Sequence, residues 1–182
     1  MGIKSKEQNI VKRCLQGDQK AQRQLYQTYA NKMFAVCLRY GSGRQDAEDI
    51  LQEGFIKVFK NLERFQFKGS FEGWVRRIIV NSAIEHYRKN LKWKYTEDAQ
   101  EVNIASKEIG VIQALNSDDL MKLVQKLPVG YRTVFNLFVI EGYAHQEIAE
   151  MLDVSESTSK TQLFKARAAL KVMIEQLEQQ EQ

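Results

Sequence analysis

The sequence predicts an all-α chain of two small helical domains joined by a flexible linker, and three observations predict it. Apolar residues recur three and four apart through most of the 182 residues, the spacing of one helix face. There is one proline, Pro128, and no long alternation of Val, Ile and Thr from which a sheet could be built. The helical pattern lapses once, from residue 96 to residue 116, where TEDAQEVNIASKEIG holds scattered apolar residues but no stripe. With 43% hydrophobic and 27% charged residues, the composition is that of a chain that folds.

In the first part, Ile10, Val11, Cys14 and Leu15 mark a helix from Lys6 to Leu15, and Gly17 is placed to end it. Asp18 then caps a second helix, whose stripe runs through Leu25, Tyr26, Tyr29, Met33, Phe34, Cys37 and Leu38 until the GSG at 41 to 43 stops it. A third helix begins near Asp46 and buries Ile50, Leu51, Phe55, Val58, Phe59 and Leu62. Its first turns expose Asp46, Glu48, Asp49, Gln52 and Glu53, and acidic side chains there suit the positive end of the helix dipole. Ser70 caps a fourth helix from Phe71 to about Leu91, with Val75, Ile78, Ile79, Ala83 and Tyr87 as its buried stripe.

Beyond the lapse, Ser117 with Asp118 and Asp119 opens a helix with the stripe Leu120, Leu123, Val124 and Leu127, and Pro128 ends it. A strongly apolar helix, YRTVFNLFVIEG, stops near Gly142. Residues 145 to 170 then read as two helices meeting at a tight corner. Ile148, Ala149 and Leu152 share a face, Val154 inserts after the corner and Leu163 follows; the small Ala149 lets the two helices cross closely, as a helix-turn-helix requires. Asp153 occupies the corner, where a left-handed backbone favours glycine and tolerates Asn and Asp next best.

No acid occurs from Ser157 to Ile174, while Ser157, Thr158, Lys160, Thr161, Gln162, Lys165, Arg167 and Lys171 supply donors and positive charge. Phosphate oxygens take such donors, and Gln, Lys and Arg also read base edges in the major groove. The second domain is therefore expected to be a helix-turn-helix, winged-helix-like DNA-binding fold.

Net charge is +4, unevenly divided: residues 1 to 95 carry 19 Lys and Arg against 9 Asp and Glu, whereas residues 129 to 182 carry 5 against 8. A basic front half suggests a polyanion partner. Cys14 and Cys37 fall at helical spacing among apolar residues and read as ordinary buried thiols. His86 and His145 stand far apart, and no Cys-x-x-Cys or His-x-x-x-His occurs, so neither a metal nor a cofactor is expected. With no carboxylate or histidine pair, no catalytic residue and no enzyme activity are expected. MGIKSKEQNIVKRCLQG lacks the apolar run of a signal peptide and no span reaches the length of a membrane helix, so the expectation is a cytoplasmic chain without membrane insertion.

The fourth helix, SFEGWVRRIIVNSAIEHYRKNLKWKY, sets Arg76, Arg77, Asn81, Arg88 and Lys89 among Phe65, Phe67, Phe71, Trp74, Trp93 and Tyr95. Positive charge interleaved with rings suits single-stranded nucleic acid, the charge tracking the backbone and the rings stacking on unpaired bases. In this order the features resemble the small two-domain bacterial sigma factors of the extracytoplasmic-function (ECF) type, of the sigma-70 family, over almost the whole chain. DAEDILQEGFIKVFKNL is similar to their second conserved segment, FKGSFEGWVRRIIVNSAIEHYRKN to their promoter-melting segment, and residues 145 to 170 to their last helix-turn-helix.

The resemblance implies a region 2-like domain at 1 to 95, a linker at 96 to 116 threading toward the polymerase's RNA path, and a region 4-like domain at 117 to 182. It implies that Asp46, Asp49, Gln52 and Glu53 dock on a basic coiled coil of core RNA polymerase. Trp74, Arg76, Arg77, Asn81 and Arg88 would meet the minus-10 element, with Asn81 where the family captures an unstacked base. Ser157, Thr158, Lys160, Thr161, Gln162, Lys165 and Arg167 would enter the minus-35 major groove. The implied partners are core RNA polymerase, promoter DNA and an anti-sigma factor, and the implied work is promoter selection and opening while the core enzyme does the chemistry. The chain departs from the family at Asp153, at Ser159, where an apolar residue is usual, and at Gln162, where arginine is frequent. The residues themselves also admit a stand-alone helix-turn-helix regulator bound to operator DNA, its front domain sensing a ligand or dimerising.

Overall fold

The structure, a computed structural model, describes residues 3 to 94 and 117 to 180, with side chains for 7 to 90 and 119 to 179. Every element among them is helical: α1 Ile3–Leu15, α2 Gln19–Tyr40, α3 Arg44–Lys60 with the 3-10 turn Leu62–Arg64, and α4 Phe71–Lys94. These are followed by α5 Ser117–Lys126, α6 Val129–Phe135 with the π-helical turn Asn136–Ile140, α7 His145–Leu152 and α8 Glu156–Gln180. Two compact units form, Met1–His86 and Tyr87–Gln182, and the division falls inside the continuous helix α4. The linker expected at 96 to 116 lies outside the described residues, as do the side chains of Ser117 and Asp118 that were expected to cap α5.

In the first unit the turn between α1 and α2 is built on Gly17, whose φ of 80° is left-handed, and on Asp18. The Asp18 carboxylate accepts from the backbone N–H groups of Lys20 and Ala21 at 2.9 and 3.1 Å, capping α2, and from Arg13 Nε and Nη2 at 2.9 and 2.6 Å. The Arg13 guanidinium, joined by the Ala21 amide, holds the Asp18 carboxyl below its ordinary value of 3.8. A carboxyl depressed by folding contributes stability that is whole above that value and is lost as pH falls through the lower folded one. Asp18→Asn, which can still cap the helix, is expected to flatten the acid side of the stability profile. Thermal midpoints from about pH 2 to about pH 6 check this, and parallel profiles for variant and parent would contradict it.

The core of this unit follows the expected stripes except at Leu15 and Tyr26, which are exposed, and elsewhere widens them. Leu25, Tyr29, Met33 and Cys37 of α2, Ile50, Leu51, Phe55 and Val58 of α3, and Val75, Ile79 and Ala83 of α4 are buried. Phe59, Ile78 and Tyr87, expected inside, are half-buried, while Val80 and Ile84 are buried, because α4 is packed over more of its circumference than one stripe. α3 and α4 cross closely at Gly54, where an added Cβ would lie 2.4 Å from Ile79 Cδ1. Cys14 and Cys37 are both buried free thiols; burial pushes Cys14 up and Cys37 up to about 12, so both stay protonated at neutral pH.

In the second unit Leu123, Val124 and Leu127 of α5 are buried and Leu120 is half-buried. The buried Arg132 of α6 donates from Nη1 to the Gln125 carbonyl at 2.8 Å, satisfying the end of α5 just before Pro128. The single apolar helix expected after Pro128 is instead α6 plus a π turn. Glu141 N–H bonds Asn136 O, five residues back, at 3.0 Å, and Gly142 at φ 78° stops the chain where expected. A run as apolar as VFNLFVI is buried on most sides, so its spacing carries no mark of the extra residue per turn. No described helix is long and apolar enough to cross a membrane.

Candidate nucleic-acid and partner interfaces

The corner between α7 and α8 is left-handed: Asp153 has φ 59° and ψ 48°. Its N–H and that of Val154 both turn back to the Ala149 carbonyl, the latter at 3.0 Å. Glu147 Oε2 accepts from Ala144 N–H at 2.8 Å and closes the start of α7. Ile148, Ala149, Leu152 and Leu163 are buried between the two helices, as their spacing implied.

α8 opens on hydroxyls. Ser155 Oγ accepts from Thr158 N–H at 3.0 Å and lies 2.8 Å from both Ser157 Oγ and Thr158 Oγ1. Outward along the helix run Ser157, Lys160, Thr161, Phe164 and Arg167, all exposed at steps of three and four. Lys160 Nζ holds Glu156 at 2.7 Å, and that hydrogen bond lowers the Glu156 carboxyl. Gln162 and Lys165 are not on this stripe. Gln162 is half-buried beside Gly130, and Lys165 Nζ lies 6.0 Å from the centre of the Tyr131 ring. Both therefore turn toward α6: Gln162 lies about 160° round the helix from Lys160, and Lys165, at the edge of the outward line one turn beyond Thr161, reaches back to Tyr131.

On α4 the structure brings Trp74, Arg77 and Asn81 onto one line at steps of three and four, while Arg88 belongs to the second unit, where its Nη2 lies 3.8 Å from Asp153 Oδ2. Asn81, Arg77 and Arg88 are exposed. Arg76 is separated from them: it lies on the opposite side of the helix and is half-buried, since residues 76, 80 and 83 share the inward side. Trp74 is half-buried in a ring cluster with Phe65 at 5.4 Å and Phe71 at 5.6 Å. Beside them Phe67 is partly exposed, with φ 57°, a backbone conformation that is strained for a residue other than glycine.

On α3, Asp49 and Gln52 are exposed and Glu53 is half-buried. Asp46 is drawn back into the fold: one carboxylate oxygen accepts from Ser42 N–H at 3.0 Å and the other lies 3.7 Å from His86 Nε2. Ile56 continues the line of Asp49 and Gln52 and is 54% exposed.

Residues 25–93 match the family described as Sigma-70 region 2, and residues 117–170 match Sigma-70, region 4. The chain is 30% identical over 183 residues to the ECF RNA polymerase sigma-E factor of Haemophilus influenzae, across 94% of this chain and 96% of that one. The chain belongs to the ECF sigma factors of the sigma-70 family.

This sigma factor is also 30% identical over 180 residues to the ECF RNA polymerase sigma factor SigW of Bacillus subtilis, covering 92% of this chain and 96% of the other. The solved sigma factor RpoE from Bartonella quintana, in complex with the anti-sigma factor NepR, is 18% identical, with a TM-score of 0.49 over 84% of this chain and 96% of that one. As an ECF sigma factor the protein binds RNA polymerase and directs it to promoters; it is not itself an enzyme. The stand-alone regulator leaves the region 2 match without a role, and the sigma factor reading replaces it.

Two exposed residues escaped the reading of the sequence, Ile56 and Phe164, the latter 50% exposed. Each is a large apolar side chain set on a polar stripe. That mismatch with the helical period was the available signal, and it goes unnoticed when polar residues alone are collected. The corner also carries a measurable cost. Asp153→Gly removes an exposed ion pair with Arg88 at 3.8 Å, which contributes little, and is expected on balance to stabilise the second unit by up to about 1 kcal/mol, the scale of the left-handed penalty for a residue with a Cβ. Chemical denaturation would check this, and a glycine variant clearly less stable than its parent would contradict it.

Proposed function

We propose that three faces divide the work of this sigma factor. The α3 face of Asp49, Gln52, Glu53 and Ile56 docks on core RNA polymerase, with Ile56 as an apolar anchor inside a polar rim. The α4 face, with Arg77 along the backbone and Asn81 about two turns beyond Trp74 on the same line, captures an unstacked base of the minus-10 element, and the cluster of Phe65, Phe67, Phe71 and Trp74 closes one end of that face. The outward line of α8, from Ser157 to Arg167, lies in the minus-35 major groove, where Phe164 is suited to a thymine methyl and Lys160 and Arg167 to phosphate or guanine. In chain order this gives a region 2-like domain at 1 to 95, a linker at 96 to 116 and a region 4-like domain at 117 to 182.

The observation that carries the reading is the placement of Trp74, Arg77 and Asn81 on one line of α4, with Trp74 half-buried in the ring cluster and Arg77 and Asn81 exposed beyond it. Asp46, Arg76, Gln162 and Lys165 take supporting parts: Asp46 shapes the start of α3, Arg76 packs on the inner side of α4, and Gln162 and Lys165 seat α8 on α6. An anti-sigma factor that covers these faces, and a cytoplasmic location beside the polymerase, complete the proposal and rest on family membership.

The test adds the purified chain to core RNA polymerase and follows run-off transcription from genomic fragments. Defined transcripts that need both components are expected. Tight binding of duplex DNA by the chain alone, with neither association with the core nor a change in its start sites, would overturn the assignment.

A further inference from the structure

Ser159 stands one turn into α8 and is fully buried, on the side of the helix where Leu163, Ala166 and Leu170 form the interior. A hydroxyl withdrawn from water requires a hydrogen-bonding partner, and an aliphatic side chain would fill the same place without that demand. Its Oγ lies 2.9 Å from Nδ1 of His145, the first residue of α7. The imidazole is itself fixed: it stacks on Phe138 of the π turn, with centroids 4.4 Å apart and planes 22° apart. Arg167, on the outward line of α8, lies 6.0 Å from the same Phe138 ring. A directional bond and a ring stack thus join the three elements whose mutual placement fixes the rotation of α8.

We propose that His145 is a positioning residue for the outward face of α8, acting through Ser159, so that positions 145 and 159 form one matched pair. The proposal rests on the reading that this face meets promoter DNA. Lys160 is the neighbour of Ser159 in sequence and Thr161 follows, so a rotation of α8 about its axis moves both relative to a duplex. The couple is polar, with Ser159 buried and His145 half-buried, and it joins the start of α7 to the first turn of α8.

The charged groups that act on the ring, Lys160, Glu156 and Arg167, all come from α8; the π turn, NLFVI, has no titratable side chain. Burial, then Lys160 and Arg167, push the imidazole below its ordinary 6.5, with Glu156 opposing. His145 is accordingly neutral at neutral pH, with Nδ1 able to accept from the Ser159 hydroxyl. Because its folded value is depressed, the stability it contributes is whole above 6.5 and is lost as pH falls through the lower folded value.

The test is a double-mutant cycle in the full chain bound to core polymerase: Ser159→Ala, His145→Phe, which keeps a ring against Phe138, and the two together. The probe is a promoter fragment recovered from run-off with the parent holoenzyme. Each single change is expected to weaken retention of the fragment by about threefold to tenfold, and the double change by no more than one single change. Losses that multiply, or single variants that match the parent, overturn the pairing. Nitrogen NMR of the free chain reads the same contact without DNA. The ring signal that vanishes in His145→Phe is expected to titrate below 6.5 in the parent and to move upward in Ser159→Ala, and an unmoved titration overturns the pairing. Failure of the DNA reading is distinguishable: Lys160→Ala and Arg167→Ala would then retain the fragment, while the same cycle read by urea unfolding would still report the coupling.

Discussion

Asn81→Ala is expected to leave the protein bound to core polymerase and bound to closed promoter DNA, yet to lower open-complex formation by about tenfold to a hundredfold. That is the range of about 1–3 kcal/mol for leaving the hydrogen-bonding groups of one captured base without their partner. Asn81 is exposed on α4, outside the buried stripe of Val75, Ile79 and Ala83, so alanine there removes an amide without opening a cavity. Because alanine also favours the helix, a fall in activity would not reflect loss of fold. Permanganate reactivity of thymines in the melted segment is the measurement. Reactivity equal to the parent's would mean that the face of α4 takes no part in holding the open strand.

The second large effect is expected from Asp49→Lys, which should weaken binding to core polymerase by about a hundredfold if the partner surface is basic, since like charges brought together at an interface cost several kcal/mol. Asp49 is exposed and lies past the first turn of α3, so the free chain's thermal midpoint should move by no more than about 2 °C. Competition with the parent chain for a limiting amount of core enzyme reads the loss directly. Undiminished competition would remove the α3 face from the docking surface. Ile56→Ala should then act in the same direction through lost apolar contact, with less dependence on salt.

Most of the fold was legible because it is written in spacing. The stripes of α2, α3 and α4, the Asp18 cap, the stop at Gly142 and the left-handed corner at Asp153 each depend on residues within a turn or two of one another, and short-range geometry follows from sequence. The π turn was not legible, since an extra residue per turn leaves no trace where nearly every side chain is apolar. The candidate faces were read less fully, for a related reason. Polar type marks a residue as able to meet DNA or a partner without saying which way it points; helical phase separates Gln162 from Lys160 and Arg76 from Arg77, while Lys165, one turn beyond Thr161, is set apart by its contact with Tyr131. Phase would equally have flagged Ile56 and Phe164. Ser159 is the sharpest instance: as a letter it is a departure that weakens packing, and only the fold brings His145, fourteen residues away, to its hydroxyl.

A division of labour among α3, α4 and α8 is tested most directly by photocrosslinking within the holoenzyme on a promoter it opens. A photoreactive side chain at Thr161 of α8 should mark duplex DNA at the minus-35 element, and one at Arg77 of α4 should mark the separated strand at the minus-10 element. Crosslinks from Thr161 that fall on protein, or from both positions onto the same element, would contradict the account.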